Sequence, residues 1–283
     1  MFQEKTRERI PRFLKNIYRF IIIIFRYPLA HFRALPDFII IGVQKGGTST
    51  LFEYLKQHPD IKTSVFKEVH YYDINYSKGK NWYKSYFPLS RKNKQILYGE
   101  ATPYYFFHPL VPERVFKDNP NIKLILLLRD PVERAYSHYQ MERRKGREKI
   151  KSFEEAISIE AERIKESNEP IVAQKESYNY NHQVYGYLAR GCYDEQLRRW
   201  LKYFKREQLL VLKSEDFFSS PKKNLEKIYQ FLNIPAIFPK NLQIKNQGGY
   251  TPLNSDIIKR LRLYYHKHNK QLCEFLGEQF QWN

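Results

Sequence analysis

The chain has 283 residues, 42% of them hydrophobic and 16% aromatic, which excludes wholesale disorder and supplies enough large side chains for one sizeable core. Its formal net charge of +19 draws anions, whether nucleotide, acidic polysaccharide, nucleic acid or membrane surface, without choosing among them. The two cysteines, Cys192 and Cys273, stand outside any clustered Cys/His spacing, so no metal site is expected, and one disulfide is possible but nothing requires it.

Residues 1–33 carry eight Lys/Arg against two Glu. The apolar run Phe20–Phe25 is too short to cross a bilayer as a helix, and no small-residue cleavage site follows it. Neither a transmembrane helix nor a secretory signal peptide is therefore expected. Phe13, Leu14, Ile17, Phe20, Ile21, Ile24 and Phe25 recur near helical spacing. Two readings stay open: a basic amphipathic helix lying on an anionic membrane, or a helix packed on the domain or a partner. The expected organisation is a basic, partly apolar segment over 1–35 and one domain over 36–283. The expected compartment is the cytoplasm, with peripheral membrane association open.

From Pro36 the pattern changes. Asp37–Val43 reads as a buried strand, Gly46 and Gly47 as a turn, and Thr48–His58 as a helix stopped by Pro59, the local form in which a helix N-terminus receives an anion. A second short strand precedes Lys67, and Gln95–Glu100 is a third. A helix begins at Pro112 and ends before Asp118. Ile122–Leu128 is apolar enough for a parallel strand covered on both faces, and Pro131 suits the first turn of the helix that follows. Glu142–Lys151 reads as an exposed loop or helix end, Phe153–Ile164 and Tyr185–Phe204 as helical regions, Gln208–Lys213 as a strand and Ser214–Asp216 as an acidic turn. Pro221–Leu232 places Leu225, Ile228, Tyr229 and Leu232 on one stripe, and Leu261–Leu276 reads as a terminal helix. This alternation predicts an α/β layered domain.

Gly42 and Gly47 have the spacing of a nucleotide-triphosphatase P-loop, but Thr48 stands where that pattern needs lysine, and the lysine lies inside the loop at Lys45. An ordinary triphosphate kinase is disfavoured, while backbone N–H groups, Thr48, Ser49 and Lys45 remain able to hold phosphate oxygens.

Ile41–Thr48 together with Leu128–Ser137 resembles the donor-binding elements of sulfotransferases that use 3'-phosphoadenosine 5'-phosphosulfate (PAPS). Within them the chain looks most like the branch acting on carbohydrates, especially the heparan sulfate glucosaminyl 3-O-sulfotransferases. The resemblance implies a three-layer, P-loop-kinase-like fold with a central parallel sheet flanked by helices. It implies PAPS as donor, 3'-phosphoadenosine 5'-phosphate (PAP) as product, no metal, and a hydroxylated acceptor, preferably a carbohydrate. Lys45, Gly46, Gly47, Thr48 and Ser49 would hold the phosphosulfate end. Arg129 and Ser137 would hold the 3'-phosphate, and Lys245, Gly248, Gly249 and Tyr250 would close over the donor. Lys67–Asp73 resembles the family's acceptor-activation motif, with Glu68 as general base and His70 and Asp73 orienting it or the acceptor. Lys45 would stabilise the departing bridge oxygen. Tyr104 and Tyr185, with Tyr187 and Tyr193, would line the acceptor side.

Gly99–Tyr105 departs from the carbohydrate branch, where a lysine commonly stands in place of Ala101. Either another cation compensates or the acceptor geometry differs. A small metabolite, a lipid headgroup or protein tyrosine are alternative acceptors. The alternative of another class is a basic membrane or nucleic-acid binding module with an inactive donor site, although no nucleic-acid motif accompanies the charge.

Overall fold

The computed structural model describes residues 11–91, 95–165, 178–243, 249, 251–280 and 282. Five short strands form its sheet: β1 (Phe38–Gly42), β2 (Ile61–Thr63), β3 (Leu97–Ala101), β4 (Lys123–Leu128) and β5 (Leu209–Lys213), in the order β2-β3-β1-β4-β5 with every pair parallel. Parallel strands are buried on both faces, which is why β1 and β4 read as unbroken apolar runs rather than alternating ones. Ile39, Ile41, Leu124, Leu126 and Leu128 face one core with Tyr83 and Trp200, while Phe38, Ile40, Ile125 and Leu127 face another with Leu51, Leu225 and Ile228. Helices cover both faces, as the sequence predicts. Gly99 permits the tight pairing of β3 with β1, because a Cβ there would lie 2.2 Å from the Phe38 ring.

With β3 and β4 on its two sides, β1 sits where the strand order reverses, and the crevice beyond the strand C-termini is where ligands bind in such sheets. The loop after β1, Thr102 after β3, Arg129 after β4 and Ser214 after β5 all emerge there.

Three elements differ from the sequence reading. Ser214–Ser219 is a short helix rather than an acidic turn. The region from Tyr185 to Phe204 is broken into the end of helix Tyr180–Tyr185, a 3-10 turn over Ala189–Gly191 and the helix Tyr193–Leu201. Gly186 and Gly191 mark the breaks; at Gly191 a Cβ would meet the Tyr265 hydroxyl at 2.6 Å. In the charged stretch Glu142–Lys151, Glu142 and Glu148 are buried, because Arg147 and Arg163 pair with them.

The N-terminal helix Arg12–Arg26 continues into a 3-10 turn, Tyr27–Phe32. It is fastened to the domain by Arg26, which donates to the Ser85 and Phe87 carbonyls at 2.6 and 2.5 Å, and by the buried Ile23.

Candidate active site

A cavity of about 960 Å³ opens at the strand C-termini. Among the described residues seven Lys/Arg side chains line it, Lys45, Lys67, Arg129, Arg144, Lys145, Arg147 and Arg190, against two Glu, Glu68 and Glu215. That imbalance calls for an anionic ligand.

The floor is the loop from Val43 to Gly47. Its start is pinned to β4 by Val43 N–H donating to the Leu127 carbonyl at 2.9 Å, and Ser214 donates its hydroxyl to the Gly46 carbonyl. Gly47 takes φ +95°, a conformation natural to glycine, and starts the helix Thr48–Leu55 without any side-chain cap. Uncapped N–H groups of a first turn are a ready anion site. Lys45 also has positive φ, +73°, and its carbonyl accepts from Arg129 Nη1 at 3.3 Å. Burial and the charges of Arg144, Arg129 and Lys145 bring the Lys45 ammonium down to about 8.

Lys67 reaches the same helix start. Its Nζ donates to Ser49 Oγ at 3.1 Å and Thr48 Oγ1 at 3.5 Å, and lies 3.5 Å from Glu68 Oε1. The other Glu68 oxygen lies 3.1 Å from His70 Nε2, whose Nδ1 lies 2.7 Å from the fully buried Asp73. Burial alone would raise Glu68, but the Lys67 ammonium and the His70 hydrogen bond outweigh it and hold the carboxyl well below the usual range. Burial also works against a charged His70, yet Asp73 and Glu68 push the imidazole up to about 10. The result is an imidazolium held between two carboxylates. Glu68 and His70 meet through a turn at His70, φ +57°, and not through the alternation of an extended segment.

Arg129 and Ser137 face the cavity from the C-terminus of β4 and from the helix Pro131–Arg144. Asp130 caps that helix, accepting from Val132 N–H at 2.8 Å and Glu133 N–H at 3.2 Å, so the position of Arg129 is set by the cap beside it. Arg129 also lies 3.5 Å from Glu133 in a partly exposed pair.

Of the other residues singled out in the sequence, Tyr104 lines the cavity and bonds His182 at 2.7 Å. Tyr185 lies outside the lining; it stacks under Arg163 and donates to the Arg147 carbonyl at 3.1 Å. Tyr187 and Tyr193 are buried in the core. Gly249 is exposed and outside the lining, and Lys245, Gly248 and Tyr250 lie outside the described residues. Ala101 is fully buried against the core containing Ile40 and Leu51. Among the described residues no group of three His, Cys, Asp or Glu has metal-binding geometry.

Lys67 and Arg190 are among the lining residues to which the sequence assigns no role. Lys67 was visible only as the neighbour of Glu68. Arg190 is buried, donates to Gln44 Oε1 at 2.6 Å and the Gln183 carbonyl at 2.6 Å, and lies 4.9 Å from the Tyr104 ring centre. Burial lowers its guanidinium to about 10. Its irregular segment offers no periodicity from which a cavity position could be read.

The sulfotransferase domain family matches residues 35–251. The chain is 31% identical to the membrane-associated sulfotransferase kil1 of Dictyostelium discoideum, over 88% of this chain and 66% of that protein. It therefore spans just under two thirds of that relative. It is 29% identical to heparan sulfate glucosamine 3-O-sulfotransferase 5 of Homo sapiens, over 88% of this chain and 74% of that one. The crystal structure of a sulfotransferase from Alicyclobacillus acidocaldarius matches with a TM-score of 0.70 and 28% identity, covering 88% of this chain and 99% of that chain.

Proposed function

The chain belongs to the sulfotransferase family, and from that premise we propose that it moves a sulfuryl group from PAPS to a hydroxyl of a carbohydrate, with Glu68 as general base. The observation that carries this reading is the convergence of Lys45, Lys67, Arg129 and an uncapped helix N-terminus on one cavity whose wall also bears the Glu68 carboxylate. The carbohydrate acceptor is supported by the named activity of the heparan sulfate relatives.

The donor supplies a sulfuryl group attached through an oxygen to a phosphate. Lys45, Lys67, Thr48, Ser49 and the first helical N–H groups hold that phosphosulfate end, and Arg129 with Ser137 holds the 3'-phosphate. As the acceptor oxygen bonds to sulfur, the bridging sulfur–oxygen bond breaks and the electron pair stays on the departing phosphate. Lys45 offsets the charge there, a contribution that elsewhere reaches roughly 10² to 10³ in rate. The acceptor proton passes to Glu68.

Lys67 and His70 by themselves hold Glu68 too acidic to be a strong base. Anionic donor oxygens near Lys67 offset part of its field, so Glu68 becomes more basic once the donor is bound. Asp73 fixes His70, and His70 fixes the outer Glu68 oxygen.

Sulfate transfer from PAPS to a panel of glycans, sulfatable small alcohols and tyrosine peptides tests both parts. Glu68→Gln should lower kcat by roughly 10² to 10⁴ with PAP affinity nearly unchanged. Equal turnover by wild type and variant removes Glu68 as the base, and transfer to peptides but not glycans removes the carbohydrate acceptor.

A further inference from the structure

On the helix Arg12–Arg26 described arginines turn inward and apolar side chains outward. Arg19 donates to the Lys67 carbonyl at 2.6 Å and lies 5.2 Å from the Phe66 ring centre, and Arg26 is spent on the Ser85 and Phe87 carbonyls. On the opposite side Phe13, Ile17, Phe20, Ile21, Ile24 and Phe25 are exposed, Phe13 by 71% and Phe25 by 78%. At 3.6 residues per turn these six fall within an arc of about 140°. Tyr27, Leu29 and Phe32 extend the exposed surface into the following turn. A contiguous apolar surface of this breadth marks an interaction site rather than scattered exposure.

We propose that this face seats on an anionic lipid bilayer, with the helix lying in the interface plane. Among the described residues no helix is long and apolar enough to cross a membrane. The surface is a convex helix face rich in phenylalanine, suited to insertion among headgroups and upper acyl chains. Charge selects the bilayer over a second copy of the chain. The helix sequence has no Asp/Glu and the whole chain carries +19, so self-association would press like charge on like while acidic headgroups complement the long-range field.

The docking face and the reaction segment are mechanically joined. Arg19 holds the carbonyl of Lys67, the residue before Glu68, and Tyr18 packs edge-on to Phe66 with ring centres 5.9 Å apart. A bilayer under the helix therefore brings the Lys67–Glu68 wall close to the headgroup layer. Resting on the sulfotransfer reading, this favours acceptor hydroxyls displayed on the membrane surface.

Flotation of the full chain with phosphatidylcholine vesicles, with and without phosphatidylglycerol, tests the docking. Wild type should float with the anionic vesicles. The triple variant Phe20→Asp, Ile24→Asp, Phe25→Asp should lose at least about tenfold in partitioning, while its melting temperature and PAP affinity stay at wild-type values. Unchanged flotation of the variant overturns the proposal, and so does a wild-type dimer that the variant dissolves without any vesicle binding. PAP titration separates a failure of docking from a failure of the donor reading. Transfer to a vesicle-borne glycolipid should exceed transfer to the same glycan in solution, and the variant should erase the difference; equal wild-type rates refute the membrane-displayed acceptor.

Discussion

PAP binding should weaken as pH rises through about 8, because that is where Lys45 loses its proton in the free enzyme. Burial and the neighbouring cations Arg144, Arg129 and Lys145 bring it there from 10.5. A drop of that size corresponds to about 3 kcal/mol disfavouring the ammonium, an upper bound because the side chain keeps some contact with solvent. Anionic phosphate reverses the penalty and raises the bound-state value. Below about pH 8 the ammonium is already present and affinity is level; above it, binding must take up a proton, and Kd rises by as much as about tenfold per pH unit. The ligand does not confuse the test, since phosphate second ionisations lie near 6 and are complete well before this range. His70, held at about 10, stays largely protonated through it. Isothermal titration of PAP in two buffers of different ionisation enthalpy reads the proton uptake directly. Lys45→Arg should bind with no uptake and a level pH profile. Wild-type binding without proton uptake around pH 8, or a Lys45→Arg variant that keeps the wild-type pH dependence, would refute the reasoning.

Three further outcomes follow from the same geometry. Lys67→Ala removes the cation shared by Ser49 and Glu68, so kcat should fall by roughly 10² to 10³; the Glu68 carboxyl should also rise, moving the acidic limb of the pH–rate profile to higher pH, and an unmoved limb counts against the Lys67–Glu68 coupling. Arg129→Ala should cut the preference for PAP over adenosine 5'-phosphate by roughly 10- to 100-fold, the worth of a hydrogen bond to a charged group, and an unchanged ratio in competition binding removes Arg129 from the 3'-phosphate. Gly47→Ala forces a Cβ at φ +95°, 2.8 Å from the Phe218 ring; thermal unfolding should show a loss of about 1–3 kcal/mol, and an unaltered melting temperature would mean the loop relaxes freely.

The apolar runs Phe38–Ile41 and Leu124–Leu128 were legible as buried parallel strands because a strand covered on both faces needs no polar side chain, and that demand is written locally. The same holds for the loop at Lys45–Thr48: its glycines and lysine stand in one stretch of chain, between β1 and the helix Thr48–Leu55, and the loop lines the cavity at the strand end. Glu68 and His70 come within 3.1 Å of each other through a turn at His70, which no periodicity in Lys67–Asp73 announces.

Composition and local pattern thus determined the layered α/β core, the glycine loop between β1 and the helix Thr48–Leu55, and the cationic character of the chain. Tertiary structure decided what the charges do. It brought Lys67 onto the start of the helix Thr48–Leu55, carried Arg190 from an irregular segment to Gln44, and turned Glu142 and Glu148 inward. It also turned Arg19 and Arg26 toward the domain and left Phe20 and Phe25 outside. Helical spacing gives the two faces of a segment, but which face is buried depends on the carbonyls and rings that distant residues present, and those positions exist only after the chain has folded.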